Sequence, residues 1–185
     1  CLVVRGGSGL WFFAGAWRYL RGTGSIAFDY IGLDGPASWL ILIALGIKCG
    51  FPLVHNWLTD AYPEATPTGT VFLSALTTKL AVYALARAYP GTELLVYIGA
   101  VMTVFPIFYA VIENDLRRVL CYSMINQVGF MVAGIGIGTA LALNGAVSTA
   151  FAHVIYKMLR CMSMGAVLHV TGRINGSELG GLYKS

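Results

Sequence analysis

The chain is a succession of apolar runs, each about as long as a bilayer is thick, and each carries very few charges. A membrane-spanning helix needs about 20 mainly apolar residues. Six such runs can be drawn here, at about residues 1–20, 37–58, 70–89, 94–112, 119–137 and 145–170. Of the 185 residues only 11% are charged and 57% are hydrophobic, whereas soluble domains average about 25% charged residues. The mean hydropathy is +0.74. These features exclude an ordinary soluble domain. They predict an all-α, polytopic membrane protein with about six transmembrane helices, spread over residues 1–185 as one unit. No run has the build of a cleaved signal peptide. The chain opens on Cys1 rather than on Met, and is expected to be a fragment of a longer polytopic protein.

Other classes are set aside on the same grounds. The net charge of +4 comes from scattered basic residues, not from a patch or stripe, so nucleic acid is not an expected partner. Cys1, Cys49, Cys121 and Cys161 lie far apart without metal-ligand spacing and read as apolar packing. No HExxH pair and no Ser or Cys nucleophile beside a base is present, which argues against an intramembrane enzyme. Neither a metal nor a cofactor is expected. The abundant glycines, GIGIG at Gly134 to Gly138 among them, read as helix-packing positions.

The informative residues are the few charges inside the apolar runs, because a charge at mid-bilayer costs about 2.5–3.5 kcal/mol even on lenient scales. Lys48 lies in IKCGFPLVHNW, about eleven residues into its run. Pro52, four residues on, has no N–H, so an uninterrupted helix would leave the Lys48 carbonyl unbonded. A helix broken at that depth is tolerated only against protein or a watery cavity. Lys79 sits at similar depth in LTTKLAVYAL. His153 and Lys157, spaced i, i+4, share one face of the sixth run and read as a relay step, with Tyr156 expected to turn away. His55 follows Lys48 by seven residues and would share its face if the helix continued, either as a relay member or as an interfacial hydrogen bonder. His169 is read as interfacial. Asp60, Glu64, Glu113 and Asp115 are read as loop residues, with Asp115 beside Arg117 and Arg118 as a surface ion-pair cluster. Two buried lysines in successive runs suggest a hydrated proton or cation path. Comparing alternate loops, Arg5, Arg117, Arg118, Arg173 and Lys184 fall on one side and Arg18, Arg21 and Arg87 on the other. That bias predicts the ENDLRR turn and the tail in the cytoplasm.

The run KCGFPLVHNWLTDAYPEATPTGTVFLSALTTKLAVYAL resembles the signature of the antiporter-like proton-conducting family. That family includes Mrp-type Na+/H+ antiporter subunits, the large membrane-arm subunits of respiratory complex I, and membrane-bound hydrogenase subunits. FYAVIENDLRRVLCYSMINQVGF, FAHVIYKMLRCMSMGAVLHVTG and GSELGGLYK carry the resemblance through most of the chain after about residue 20. The wording VHNWLTDAYPEATPTG is similar to the D-type subunit of Mrp antiporters. The resemblance implies a fragment of a fourteen-helix core, about helices six to eleven, with helix seven broken near Pro52. It implies that Lys48 matches a helix-seven lysine that triggers proton release and Lys79 a helix-eight lysine that bridges half-channels. His153 and Lys157 would match polar helix-eleven positions. The family's helix-five glutamate and helix-twelve exit residue would lie outside this chain.

The implied function is proton and monovalent cation translocation, in a multi-pass subunit of the bacterial inner membrane. Its implied partners are the lipid bilayer, other membrane subunits, H+ and Na+. The alternatives are a proton-pumping membrane-arm subunit of complex I or a hydrogenase, and a non-conducting structural membrane subunit. Arg5, Arg18, Arg160 and Cys161 depart from the family pattern. Arg160 in particular is expected to place a like charge on the Lys157 face.

Overall fold

The computed structural model describes residues 2–181; Cys1, Lys184 and the end of the GSELGGLYK stretch lie outside the described residues. The six apolar runs become eight α-helices because two of the runs are interrupted. Helix α1 spans Leu2–Thr23, α2 Pro36–Cys49, α3 Asn56–Glu64, α4 Pro67–Phe72 and α5 Thr78–Ala88, with a π-helical turn at Leu73–Thr77 between the last two. Helices α6 (Glu93–Ile112), α7 (Leu116–Ile137) and α8 (Ala140–Thr171) follow. Three stretches, Pro67–Ala88, Glu93–Ile112 and Leu116–Ile137, are long and apolar enough to cross a membrane. Val104, Phe108 and Val111 lie exposed along α6.

The break in the second run has two causes. Pro52 was the visible one, but α2 ends two residues earlier, at Gly50, which adopts the left-handed conformation with φ +81°. The Phe51 N–H reaches back to the Gly46 carbonyl at 2.9 Å, and the Gly50 N–H to the Ile47 carbonyl at 3.3 Å. This pair of bonds is the Schellman ending that glycine favours. The Trp57 indole also donates to the Ile47 carbonyl, at 2.9 Å, so α3 is pinned to the end it departs from. Gly50→Ala is expected to cost about 1–2 kcal/mol from the left-handed conformation alone. The added Cβ would also lie 2.6 Å from Leu58 Cδ1. A melting temperature of the purified assembly unchanged by this substitution would contradict the assignment of the break.

The proline-rich stretch Thr59 to Gly69, which holds Asp60 and Glu64, is mostly helical rather than a loop. Thr59 to Glu64 continue α3, and Pro67 opens α4, where its missing N–H has no helical partner to lose. Only Ala65 and Thr66 join the two helices. Asp60 and Glu64 are therefore helical, though exposed.

The helix ends group as the loop alternation requires. At one end Ile31 N–H donates to the Ala88 carbonyl at 2.9 Å, Tyr89 Oη to the Ser38 carbonyl at 2.7 Å, and Gly91 N–H to the Ile135 carbonyl at 3.0 Å. Arg87 meets Asp29 there at 3.1 Å, the one ion pair among the described residues. At the other end Asp115 is the N-cap of α7. Its carboxylate accepts from the Arg117 and Arg118 N–H groups at 2.8 and 3.3 Å. It caps a helix instead of pairing with arginine side chains, which replaces the ion-pair reading of ENDLRR.

Candidate functional site

Lys48 is half-buried in the last turn of α2. It lines a cavity of about 530 Å³ with Arg5, Phe12, Phe28 and Thr77, and no carboxylate is among the lining residues. Arg5 is accommodated there: Nη2 donates to Thr77 Oγ1 at 3.3 Å and the guanidinium lies 5.4 Å from the Trp57 ring centre. Arg18 lies near the other end of α1, beside Asp34, in a separate cavity. His55 does not share the Lys48 cavity. The break turns its ring onto Phe105 of α6, at 4.7 Å between ring centres, and leaves Nδ1 enclosed without a partner.

Lys79 is 8% exposed, one residue into α5. Its Nζ donates to the Ser74 carbonyl at 2.7 Å and to Thr78 Oγ1 at 3.1 Å. The π-helical turn just before it changes the ordinary helical bonding pattern, and such bulges often mark functional sites. Ser74 is thus both the acceptor for Lys79 and, through Oγ, a 3.5 Å neighbour of Cys161 Sγ on α8. One turn before Cys161, Lys157 is 1% exposed and donates to the Leu120 carbonyl of α7. Ser74, Cys161 and Lys157 share a cavity of about 10 Å³, room for about one water. Lys79 and Lys157, on different helices, are thus linked through Ser74, whose carbonyl accepts from Lys79 and whose side chain shares a cavity with Lys157.

His153, one turn further back on α8, is fully buried, and neither ring nitrogen has a hydrogen-bond partner. Tyr156 is not turned away from it: the two rings meet edge to face at 5.0 Å. Tyr156 Oη donates to Gln127 Oε1 at 3.2 Å, which ties α8 to α7. Arg160 does not crowd Lys157. It is exposed, and its guanidinium lies 5.2 Å from the Tyr156 ring centre. Spacing of three residues puts two side chains on neighbouring rows of a helix, and here the boundary of burial runs between those rows.

Three contributors carry no clear sequence signal: the π-helical turn with Ser74, Gln127 and Arg117. Gly50 stands two residues before Pro52 and is legible from that position. A single extra residue in a helical turn leaves the apolar pattern almost unchanged, so the π-helical turn is not. Gln127 meets Tyr156, and Arg117 meets the α3–α4 junction, through contacts between helices.

A family profile described as NADH:quinone oxidoreductase/Mrp antiporter, transmembrane, matches residues 5–185. The chain belongs to this family. It is 33% identical over 155 residues to the D-type subunit of the Na(+)/H(+) antiporter of Alkalihalophilus pseudofirmus, an alignment covering 79% of this chain and 31% of that one. It is also 33% identical over 151 residues to the L-type subunit of the F(420)H(2) dehydrogenase of Methanosarcina mazei, over 76% of this chain and 22% of the other. Among solved structures, a chain of the Mrp complex from a Dietzia species superposes with a TM-score of 0.91 at 26% identity, over 100% of this chain and 37% of that one. The chain thus spans under a third of the length of these two curated relatives. It has the multi-pass membrane fold of the antiporter-like subunits in this family.

Proposed function

We propose that this chain is the central part of a subunit that carries protons across the membrane in exchange for a monovalent cation, within an Mrp-type multisubunit antiporter. The observation that carries the reading is that two buried lysines on different helices, Lys79 and Lys157, are linked through Ser74, which also touches Cys161. Beside them His153 keeps both ring nitrogens free to give or take a proton. Each lysine is held by neutral acceptors rather than by a carboxylate. Its charge is therefore uncompensated locally, and in low dielectric a proton arriving at one lysine is felt at the next. Lys48, in its cavity beside the helix break that Gly50 and Pro52 make, is the entry to the same path. His55, facing α6, serves the break as a packing group rather than as a second proton site.

The proposed setting is a bacterial inner membrane, with other membrane subunits as partners and H+ and Na+ as cargo. A second reading, a pumping arm driven by a redox module, is supported by the similarity to the F(420)H(2) dehydrogenase chain. Everted membrane vesicles holding the full-length subunit in its assembly separate the two readings. The antiporter reading expects an imposed pH gradient to collapse on adding Na+ or K+. Build-up of a pH gradient on adding an electron donor and acceptor would favour the pumping arm. No proton movement under either condition would leave only a structural subunit.

A further inference from the structure

Arg117 lies in the first turn of α7, where an arginine would ordinarily reach into water. Instead it is 8% exposed and points into the protein. Its Nη2 donates to the Ala65 carbonyl and to Thr70 Oγ1, both at 2.6 Å, and lies 3.3 Å from the Tyr62 carbonyl. Thr70 Oγ1 in turn donates to the Tyr62 carbonyl at 2.8 Å, so the α3–α4 junction wraps its acceptors around one cation. No carboxylate is among these partners. Arginine does not lose its proton in proteins, so the charge is fixed.

The surroundings of Arg117 differ on its two sides. Inward, it lines the cavity that holds Lys157 and Cys161, with space for about one water. Outward, it lines a crevice with Arg173, Ile174 and Leu179 whose water-sized space is about 0 Å³. That crevice is roofed by the segment after α8. Leu116 N–H donates to the Ile174 carbonyl at 3.2 Å, Gly176 N–H to the Asn114 carbonyl at 2.9 Å, and Asn114 Nδ2 to Ser177 Oγ at 2.9 Å. Arg117 therefore stands between Lys157 and the aqueous end at the α6–α7 turn.

We propose that Arg117 is a plug: a fixed cation that closes the Lys157 cavity toward the α6–α7 turn and excludes protons and small cations from that end. A guanidinium in a narrow polar passage raises an electrostatic barrier to cations while its fork fills the opening. Traffic at Lys157 is then forced sideways, to Ser74 and Lys79 or to His153, rather than straight out. The significance of the plug rests on the proposed proton-carrying role of Lys157. Access to the cavity is measured without any transport, so the two ideas fail separately.

Cys121 and Cys161 line the same cavity and serve as natural probes of access. Vesicles of both orientations, holding the full-length subunit in its assembly, are treated with a membrane-impermeant cationic methanethiosulfonate. Modification of the two thiols is then followed by mass spectrometry. Wild-type labelling is expected to be slow from either side. In Arg117→Ala it rises about tenfold or more, from the side of the turn only. Arg117→Lys keeps a cation in place and stays within about twofold of wild type. Thr70→Val loosens the clamp but keeps the charge, so a neutral thiol reagent gains access while the cationic one does not. Fast wild-type labelling from the turn side overturns the proposal, as does an Arg117→Ala rate equal to wild type. If Arg117→Ala does not assemble, Thr70→Val decides, and an unchanged rate with the neutral reagent overturns it equally.

Discussion

Replacing Lys79 with alanine in the full-length subunit brings coupled transport down to the level of vesicles lacking the subunit, while the assembly still purifies intact. The side chain is buried, and its partners are the Ser74 carbonyl in the π-helical turn and Thr78 Oγ1 one residue before it. Both acceptors belong to the same helical stretch, so truncation opens no other element. Losing one buried cation without leaving a countercharge behind removes a desolvation cost and strands no carboxylate. What disappears is the amine that the π-helical turn holds through the Ser74 carbonyl, beside α8. Lys79→Arg sharpens the test. It keeps a positive charge in place but cannot release a proton, so it is expected to be as inactive as alanine. Transport at the wild-type rate in either variant, read as Na+-dependent collapse of a pH gradient, would falsify the role given to Lys79.

Stability is most exposed to substitution in the α6–α7 hairpin. There the two helix backbones come so close that no side chain fits between them. A Cβ on Gly136 would lie 2.6 Å from the Val96 nitrogen, and one on Gly99 2.5 Å from the Ala133 nitrogen. On Gly129 it would lie 2.8 Å from the Thr103 nitrogen. These neighbours are backbone atoms, which cannot rotate out of the way. Close approach through small residues is also what holds helices together where lipid removes the hydrophobic drive. Gly136→Ala and Gly99→Ala should each cost about 1–3 kcal/mol, the usual penalty for overpacking. Melting of the purified assembly in detergent checks this. Gly145→Ala is the control, since its Cβ would meet nothing within 4 Å, and its melting temperature should match wild type. Equal melting temperatures for all three variants would mean that the hairpin is not zipped as described.

Reading along the chain alone was strongest where the physics is one-dimensional. Lys48, Lys79 and Lys157 stand out because a charge inside a run as long as a bilayer is costly wherever the run packs. It was weakest where the answer depended on direction around a helix. His55 was aligned with Lys48 on the assumption of a continuing helix, but the end at Gly50 swings it to Phe105 on α6. Spacing sets Arg160 beside Lys157, yet it lies exposed, over the Tyr156 ring. Arg117 was read as a surface charge because it sits at a turn. Its burial follows from the α3–α4 junction folding over it, and no local pattern encodes that.

The order of residues alone settles the membrane class, the six apolar runs and the interruption near Pro52, and singles out the lysines inside those runs. Bilayer thickness and the cost of charge in hydrocarbon act on composition along the chain, so they can be read residue by residue. Helix packing settles the rest: which acceptors Lys79 and Lys157 take, that Ser74 touches Cys161, and that Arg117 is buried against the α3–α4 junction. Each helical residue turns its side chain by about 100°. A left-handed glycine or one extra residue in a turn therefore re-aims everything after it, and the partner on the next helix is fixed only when the helices pack.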